Sequence, residues 1–222
     1  MPGLTSCKGS YIFVPCLKDS DKLKPNDMTA KNYMTTDKIR YQEMQIDDFE
    51  QVIQLGTDVH GEGYIDKTNL TEWFDKGVTT QSNANFVAYD GDKLVGFRIT
   101  FAPNSWQIDH WCSPQLWQVP SNQVCYFKCN TVDQHYRGYG IGSKLLSLSI
   151  NAITKQGATA GVSHLWMQSP GNSAVKYFTK CGGQLIKEHP DRWNELSQKG
   201  YLCPICHNDC HCSAAEMLIR FD

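Results

Sequence analysis

No apolar run in this 222-residue chain approaches the roughly 20 residues needed to cross a bilayer as a helix, so a helical membrane span is not expected. Neither sign of charge dominates. Twenty-one Lys and Arg stand against 23 Asp and Glu, a net charge of −2, and nucleic acid is therefore not the default partner. The stretch Met1 to Cys16 carries one lysine and only a short apolar patch, Tyr11 to Pro15, which is too little for the apolar region of a secretory signal. A secreted disulfide scaffold is also a poor fit. Of the ten cysteines, Cys203, Cys206, Cys210 and Cys212 cluster, while Cys7, Cys16, Cys112, Cys125, Cys129 and Cys181 scatter. A reducing compartment, the cytoplasm, is the expectation, with no membrane partner.

The length suits one α/β domain plus a tail. Residues 1–38 read as an N-terminal tail or linker, because Leu17 to Lys38 is polar and aperiodic. The patch Tyr11 to Val14 is either a docking strand or part of a segment preceding a natural start at Met28 or Met34. Residues 39–222 alternate between strand and helix patterns. Ile39 to Met44 reads as a strand. Asp47 is placed to cap a helix with Phe49, Val52, Ile53, Leu55 and Val59 on its apolar face, and Thr68 or Asn69 to cap a second through Trp73 and Phe74. Phe86 to Tyr89 and Leu94 to Phe101 form a hairpin around Asp90-Gly91. Ala102 to Asn122 is long for a hairpin connection and rich in tryptophan. It is either a loop folded over the sheet or a wall of a pocket. Val162 to Met167, Leu185 to Lys187 and Ala214 to Phe221 are further strands. Gly171 to Lys180 is a short helix closed by Gly182-Gly183.

The most informative stretch runs from Val132 to Leu146. An apolar strand, Val124 to Val132, leads into a turn with Gly138, Gly140 and Gly142, and then into a helix with Leu146, Ile150 and Ile153 on one face. Backbone N–H groups at such a helix N-terminus favour a pyrophosphate, and glycine lets the backbone come close to it. The order Ser143-Lys144 is wrong for a P-loop, and Leu145 stands where the third glycine of a dinucleotide fingerprint would be.

The arrangement Arg137-x-x-Gly140-x-Gly142, between that strand and that helix, resembles the acetyl-CoA signature of the GNAT (Gcn5-related N-acetyltransferase) superfamily. The resemblance extends from about Ile39 to the C-terminus. It implies a mixed sheet of about seven strands flanked by about four helices, with a Cys-rich loop, residues 188–213, between the last two strands. It also implies acetyl-CoA as co-substrate. Asn130, Thr131 and Val132 would hold the pantetheine arm by their main chain, and Arg137, Gly138, Tyr139, Gly140, Ile141, Gly142 and Ser143 the pyrophosphate. Asn172 would assist them.

Many members of the superfamily carry a glutamate base on this strand, whereas this chain has Lys128 and Cys129 there. Glu62, His60, His110 and His164 remain as alternatives. In the late-helix pattern the tyrosine slot of the general acid holds Phe178, and Tyr177 lies one residue earlier, about 100° round the helix. Either the helix is rotated so that Tyr177 faces the thiol, or water serves.

Cys203-x-x-Cys206-x3-Cys210-x-Cys212 offers four thiols for a tetrahedral structural zinc, with redox-active thiols, a Cys203–Cys206 disulfide or an iron–sulfur cluster as alternatives. A clip there would order the loop over the acceptor site. The expected activity is direct acetyl transfer to a primary amine: a small molecule, an amino acid, or a peptide or protein amine. The rival is a non-catalytic acyl-CoA sensor or interaction module using the cysteine loop. The oligomeric state stays open, a homodimer included.

Overall fold

The structure is a computed structural model that describes residues 38–221. The readings of the tail, including Tyr11 to Val14, Met28 and Met34, lie outside the described residues.

Seven strands form one sheet in the order β1-β2-β3-β4-β5-β7-β6. They are β1 (Ile39–Glu43), β2 (Phe86–Asp90), β3 (Lys93–Phe101), β4 (Val124–Val132), β5 (Ala160–Trp166), β6 (Gln184–His189) and β7 (Ala214–Arg220). All neighbours are antiparallel except β4 and β5. A parallel pair needs a crossover, which α3 (Ile141–Lys155) supplies. The predicted mixed sheet and the cysteine loop between the last two strands are both present.

Alternation along the strands sends apolar side chains to both faces, and each face is covered by helices. On one, Ile141, Leu145, Leu146, Ile150 and Ile153 of α3 and Phe178 of α4 (Ser173–Lys180) pack on Val95, Phe127 and Met217. On the other, Phe49, Val52 and Leu55 of α1 (Phe49–His60) and Leu70 of α2 (Lys67–Asp75) cover Val87, Phe97, Ile99 and Cys129. A single turn, α5 (Asn194–Ser197), lies in the cysteine loop.

Two expected caps are corrected. Asp47 sits inside a 3-10 turn, Ile46–Asp48, that leads into α1, and Asp48 instead accepts the Gln45 N–H at 2.7 Å. Asp66, rather than Thr68 or Asn69, caps α2. Its extended backbone brings Oδ1 to the Asn69 N–H at 2.8 Å, and Asn69 returns a bond to the Asp66 N–H. The apolar pattern fixes a helix but leaves the first turn to local hydrogen bonding.

The long loop of residues 102–123 is tied to the sheet by one buried carboxylate. Glu216, on β7, accepts from the Ser113 N–H (2.8 Å), the Trp117 indole (2.8 Å) and His189 Nε2 (3.0 Å). Trp117 is fully buried over Val124, Val162 and Leu218. Burial raises the Glu216 pKa, but these donors outweigh it and hold the group below the usual carboxylate range.

A depressed folded pKa contributes stability that is fully present above the unfolded value of about 4.3 and is lost as pH falls through the lower folded value. Glu216→Ala should cost about 3–5 kcal/mol in urea unfolding at pH 7, because it strands three buried donors. The gap to wild type should narrow only on acidification below about pH 4.

Candidate active site

The site exists because β4 and β5 stop pairing. Their register runs only from Val124↔Ala160 to Tyr126↔Val162. Gly161 permits the closed end, since a Cβ there would lie 2.3 Å from the Phe127 ring. Beyond it the strands part around a cavity of about 580 Å³ lined from both sides. At the fork β4 carries a bulge. Ile99 faces Cys129 but Thr100 faces Phe127, so Lys128 is left without a partner on β3.

At one end of the cavity lies the glycine turn. Asp133 caps the 3-10 turn Gln134–Tyr136 by accepting the His135 N–H at 2.8 Å, and it also pairs with Lys93 at 2.8 Å. Arg137 Nε donates to the Val132 carbonyl at 3.2 Å. Gly138 and Gly140 then adopt φ of 87° and 78°, which few other residues tolerate. The helix N-terminus has neither a side-chain cap nor an acidic residue in its first turn, and its first backbone bond runs from Lys144 to Gly140. The preceding N–H groups are thus left for an anion, as a pyrophosphate site requires.

Asn130, Thr131, Val132, Arg137, Gly138, Gly140, Ile141, Gly142 and Ser143 all line the cavity. Tyr139 is 40 % exposed, and neither it nor Asn172 belongs to that lining. Asn172 precedes α4 in a left-handed conformation.

Halfway along, α4 is turned so that Phe178 is buried edge-on against Phe127, while Tyr177 lines the cavity. Arg98 Nη1 donates to Tyr177 Oη at 2.9 Å. Arg98 is only 1 % exposed and lies over the Phe127 ring at 4.4 Å. Burial raises the Tyr177 pKa, and the guanidinium opposes that rise.

Beyond the fork, Tyr126 and His164 meet at 3.1 Å (Oη to Nδ1), and His164 Nε2 lies 2.6 Å from the Trp111 carbonyl. A carbonyl only accepts, so Nε2 carries the proton and Nδ1 accepts from Tyr126. Burial, reinforced by Arg192, lowers His164 to about 4. His60 also lines the cavity, with Nε2 2.8 Å from Thr131 Oγ1, and burial lowers it to about 4 as well. Glu62 and His110 do not line the cavity.

The four clustered cysteines come together with their sulfurs all within 4.8 Å, and the eight described cysteines are free thiols, with no Cys203–Cys206 disulfide. Their loop docks on the turn after α1. Tyr201 Oη donates to the His60 carbonyl at 2.9 Å, and the Leu202 N–H to the Glu62 carbonyl at 3.1 Å. Gly61 is required there, because a Cβ would fall 2.2 Å from the Leu202 carbonyl oxygen. Tyr201, Cys203, Pro204 and Ile205 thereby wall the cavity opposite β4.

Sequence reasoning missed Arg98, Tyr126 and Arg192. Arg98 had a signal, as the one charged residue inside the apolar run Leu94 to Phe101. Tyr126 and Arg192 had none, since their importance arises from strand pairing and loop docking.

A sequence model of the acetyltransferase (GNAT) family matches residues 45–183. A comparison with curated protein sequences found no match. Among solved structures, Ard1 from Thermoplasma volcanium is 13 % identical with a TM-score of 0.59, covering 83 % of this chain and 99 % of that one. The putative acetyltransferase yncA from Salmonella typhimurium, solved with acetyl-CoA, is 12 % identical at TM-score 0.60, covering 83 % and 95 %. Naa50 from Arabidopsis thaliana, in complex with a bisubstrate analogue of CoA and a peptide, is 18 % identical at TM-score 0.54, covering 83 % and 99 %. These likenesses establish a common fold, and with the match across most of the domain they place the chain in the GNAT family of acetyltransferases.

Proposed function

We propose that this protein transfers an acetyl group directly from acetyl-CoA to a primary amine held in the same cleft. The observation that carries the reading is the parting of β4 and β5, which joins an uncapped, carboxylate-free helix N-terminus to a pocket containing Tyr177 and the Tyr126–His164 pair.

In this reading the N–H groups after Gly138 and Arg137 hold the pyrophosphate, and the unpaired edge of β4 at Asn130 to Val132 holds the pantetheine arm. Holding thioester and amine side by side can supply roughly 7–11 kcal/mol of the barrier. The amine must also be neutral, yet a group with pKa near 10.4 is only about 0.04 % neutral at pH 7. Tyr126 Oη, which donates to His164 Nδ1, presents its lone pairs to the amine N–H and orients it, and the amine's proton leaves to water, because burial keeps the His164 ring too weak a base to take it. The new C–N bond forms as the C–S bond breaks. Arg98 occupies a lone pair of Tyr177 Oη, so the hydroxyl proton is free to go to the leaving thiolate.

The cysteine loop is read as a zinc clip. Four thiolates about 2.3 Å from a tetrahedral zinc would lie about 3.8 Å apart. Cys203–Cys212 and Cys206–Cys212 are at 3.8 and 3.6 Å. With four thiolates no position remains for a reactive water, so the metal is structural and acts by holding the wall formed by Tyr201 to Ile205.

Mass-spectrometric detection of CoA release should show amine-dependent turnover. Tyr177→Phe and Tyr126→Phe should each lower kcat by about 10²-fold or more with little change in acetyl-CoA affinity. Release that no amine stimulates, or unchanged turnover in both variants, would remove the assignment. Metal analysis should find one zinc per chain, and chelation should raise the acceptor KM more than the acetyl-CoA Kd. A chelated protein with unaltered fold and acceptor affinity would refute the clip.

A further inference from the structure

The charge inside the cleft is one-sided. The chain as a whole carries a net charge of −2, yet no aspartate or glutamate lines the main cavity, while Lys128, Arg137, Lys180 and Arg192 do. Arg137 and Lys180 sit towards the glycine turn and α4, where a phosphate-rich ligand accounts for them. Lys128 and Arg192 lie at the other end, beyond the fork, and no phosphate reaches them in the proposed pose. Both also line a side chamber of about 210 Å³, which shares Tyr126 and His164 with the main cavity.

Lys128 has no carboxylate partner, and Arg192 has one only at the long limit of an ion pair, Asp109, which also lines the side chamber. The bulge turns the Lys128 ammonium onto the Trp73 ring at 4.1 Å, and no carboxylate among the described residues lies within 4 Å of it. An aromatic face stabilises a cation but leaves its charge in place. Burial, assisted by Arg192 and Lys76, lowers the Lys128 pKa to about 8. Arg192 lies over the Trp111 ring at 5.1 Å, and its Nε is buried with no hydrogen-bond partner. The nearest carboxylate, Asp109, stands 3.9 Å from Arg192 Nη2, and its other oxygen accepts the Trp111 N–H. Lys76, the third cation of the chamber, is paired with Glu72. A buried guanidinium nitrogen without an acceptor is costly, and a bound anion removes that cost.

We propose that the acceptor is a small amine that also carries a carboxylate, which Lys128 and Arg192 receive at the mouth of the side chamber. The assignment rests on the acetyl-transfer reading and narrows it. The same cations disfavour a bound ammonium, so they help deliver the amine in its neutral form, and they discriminate against polycationic acceptors. The enclosing walls, the cysteine loop on one side and the tryptophan loop on the other, favour a free amino acid over a folded protein.

The test uses the whole protein loaded with CoA, and measures calorimetric binding of N-acetyl amino acids against their N-methylamides, which keep size and lose the charge. CoA binding is scored first. Failure there overturns the acetyl-transfer reading itself, and this proposal with it. If CoA binds, the best acid should bind at least about 10-fold more tightly than its amide, as expected for hydrogen bonds to a charged group. Arg192→Gln and Lys128→Met should each erase most of that preference while CoA affinity is retained. Should one variant not fold, the other carries the test. Equal affinity for acids and amides, no binding of either, or a preference that survives both substitutions would overturn the carboxylate assignment and leave acetyl transfer standing.

Discussion

Everything functional in this molecule depends on two parallel strands that pair for three residues and then separate. Parallel pairing is marginal at such a length, and it holds because Gly161 lets Phe127 and Cys125 close over the joined end. Past that point the backbone groups on the inner edges of β4 and β5 have no strand partner, the Phe127 and Val132 carbonyls being served instead by Ser163 Oγ and Arg137 Nε. Such groups are costly when buried, so an extended ligand with amide groups of its own is a natural partner. The bulge at Lys128 belongs to the same device. It takes one residue out of the alternation at the fork and sends its ammonium towards α2 rather than into the sheet.

The electrostatics of the cleft follow from what surrounds this gap. On the α3 side a helix N-terminus without a cap supplies partial positive charge. On the α4 side the buried Arg98 acts through a tyrosine hydroxyl. At the fork Lys128 and Arg192 complete a wall without carboxylates. In the proposed acetyl transfer, a site built this way would stabilise developing negative charge on a departing thiolate and repel protonated amines. The absence of a glutamate on β4 is consistent with this field. A carboxylate beside Lys128 would neutralise it, whereas the neutral Tyr126–His164 pair adds no charge at the fork.

Two long loops close the cleft, and each is fixed by an economical device. One buried carboxylate, Glu216, anchors the tryptophan loop through three donors, and that loop in turn holds His164 through the Trp111 carbonyl. The cysteine loop gathers its four thiols and docks through the Tyr201 and Leu202 hydrogen bonds and a close backbone approach to Gly61. Loops shape the pocket while the sheet supplies stability, the usual division of labour in compact domains.

The sequence alone determined the order of elements, the glycine turn and the cysteine cluster. Each of these rests on local chemistry: side-chain periodicity, positive φ at Gly138 and Gly140, and thiols close in the chain. It also narrowed the late helix to two rotations but did not choose between them. Tertiary packing decided that, because burying Phe178 against Phe127 leaves Tyr177 facing the cleft. Tertiary structure alone also brought Arg98 to Tyr177, Tyr126 to His164 and Arg192 to the fork. Those contacts span 79 residues for Arg98 and Tyr177 and 38 for Tyr126 and His164. They are made by strand register and loop docking, and no local pattern encodes which distant side chains a register will bring together.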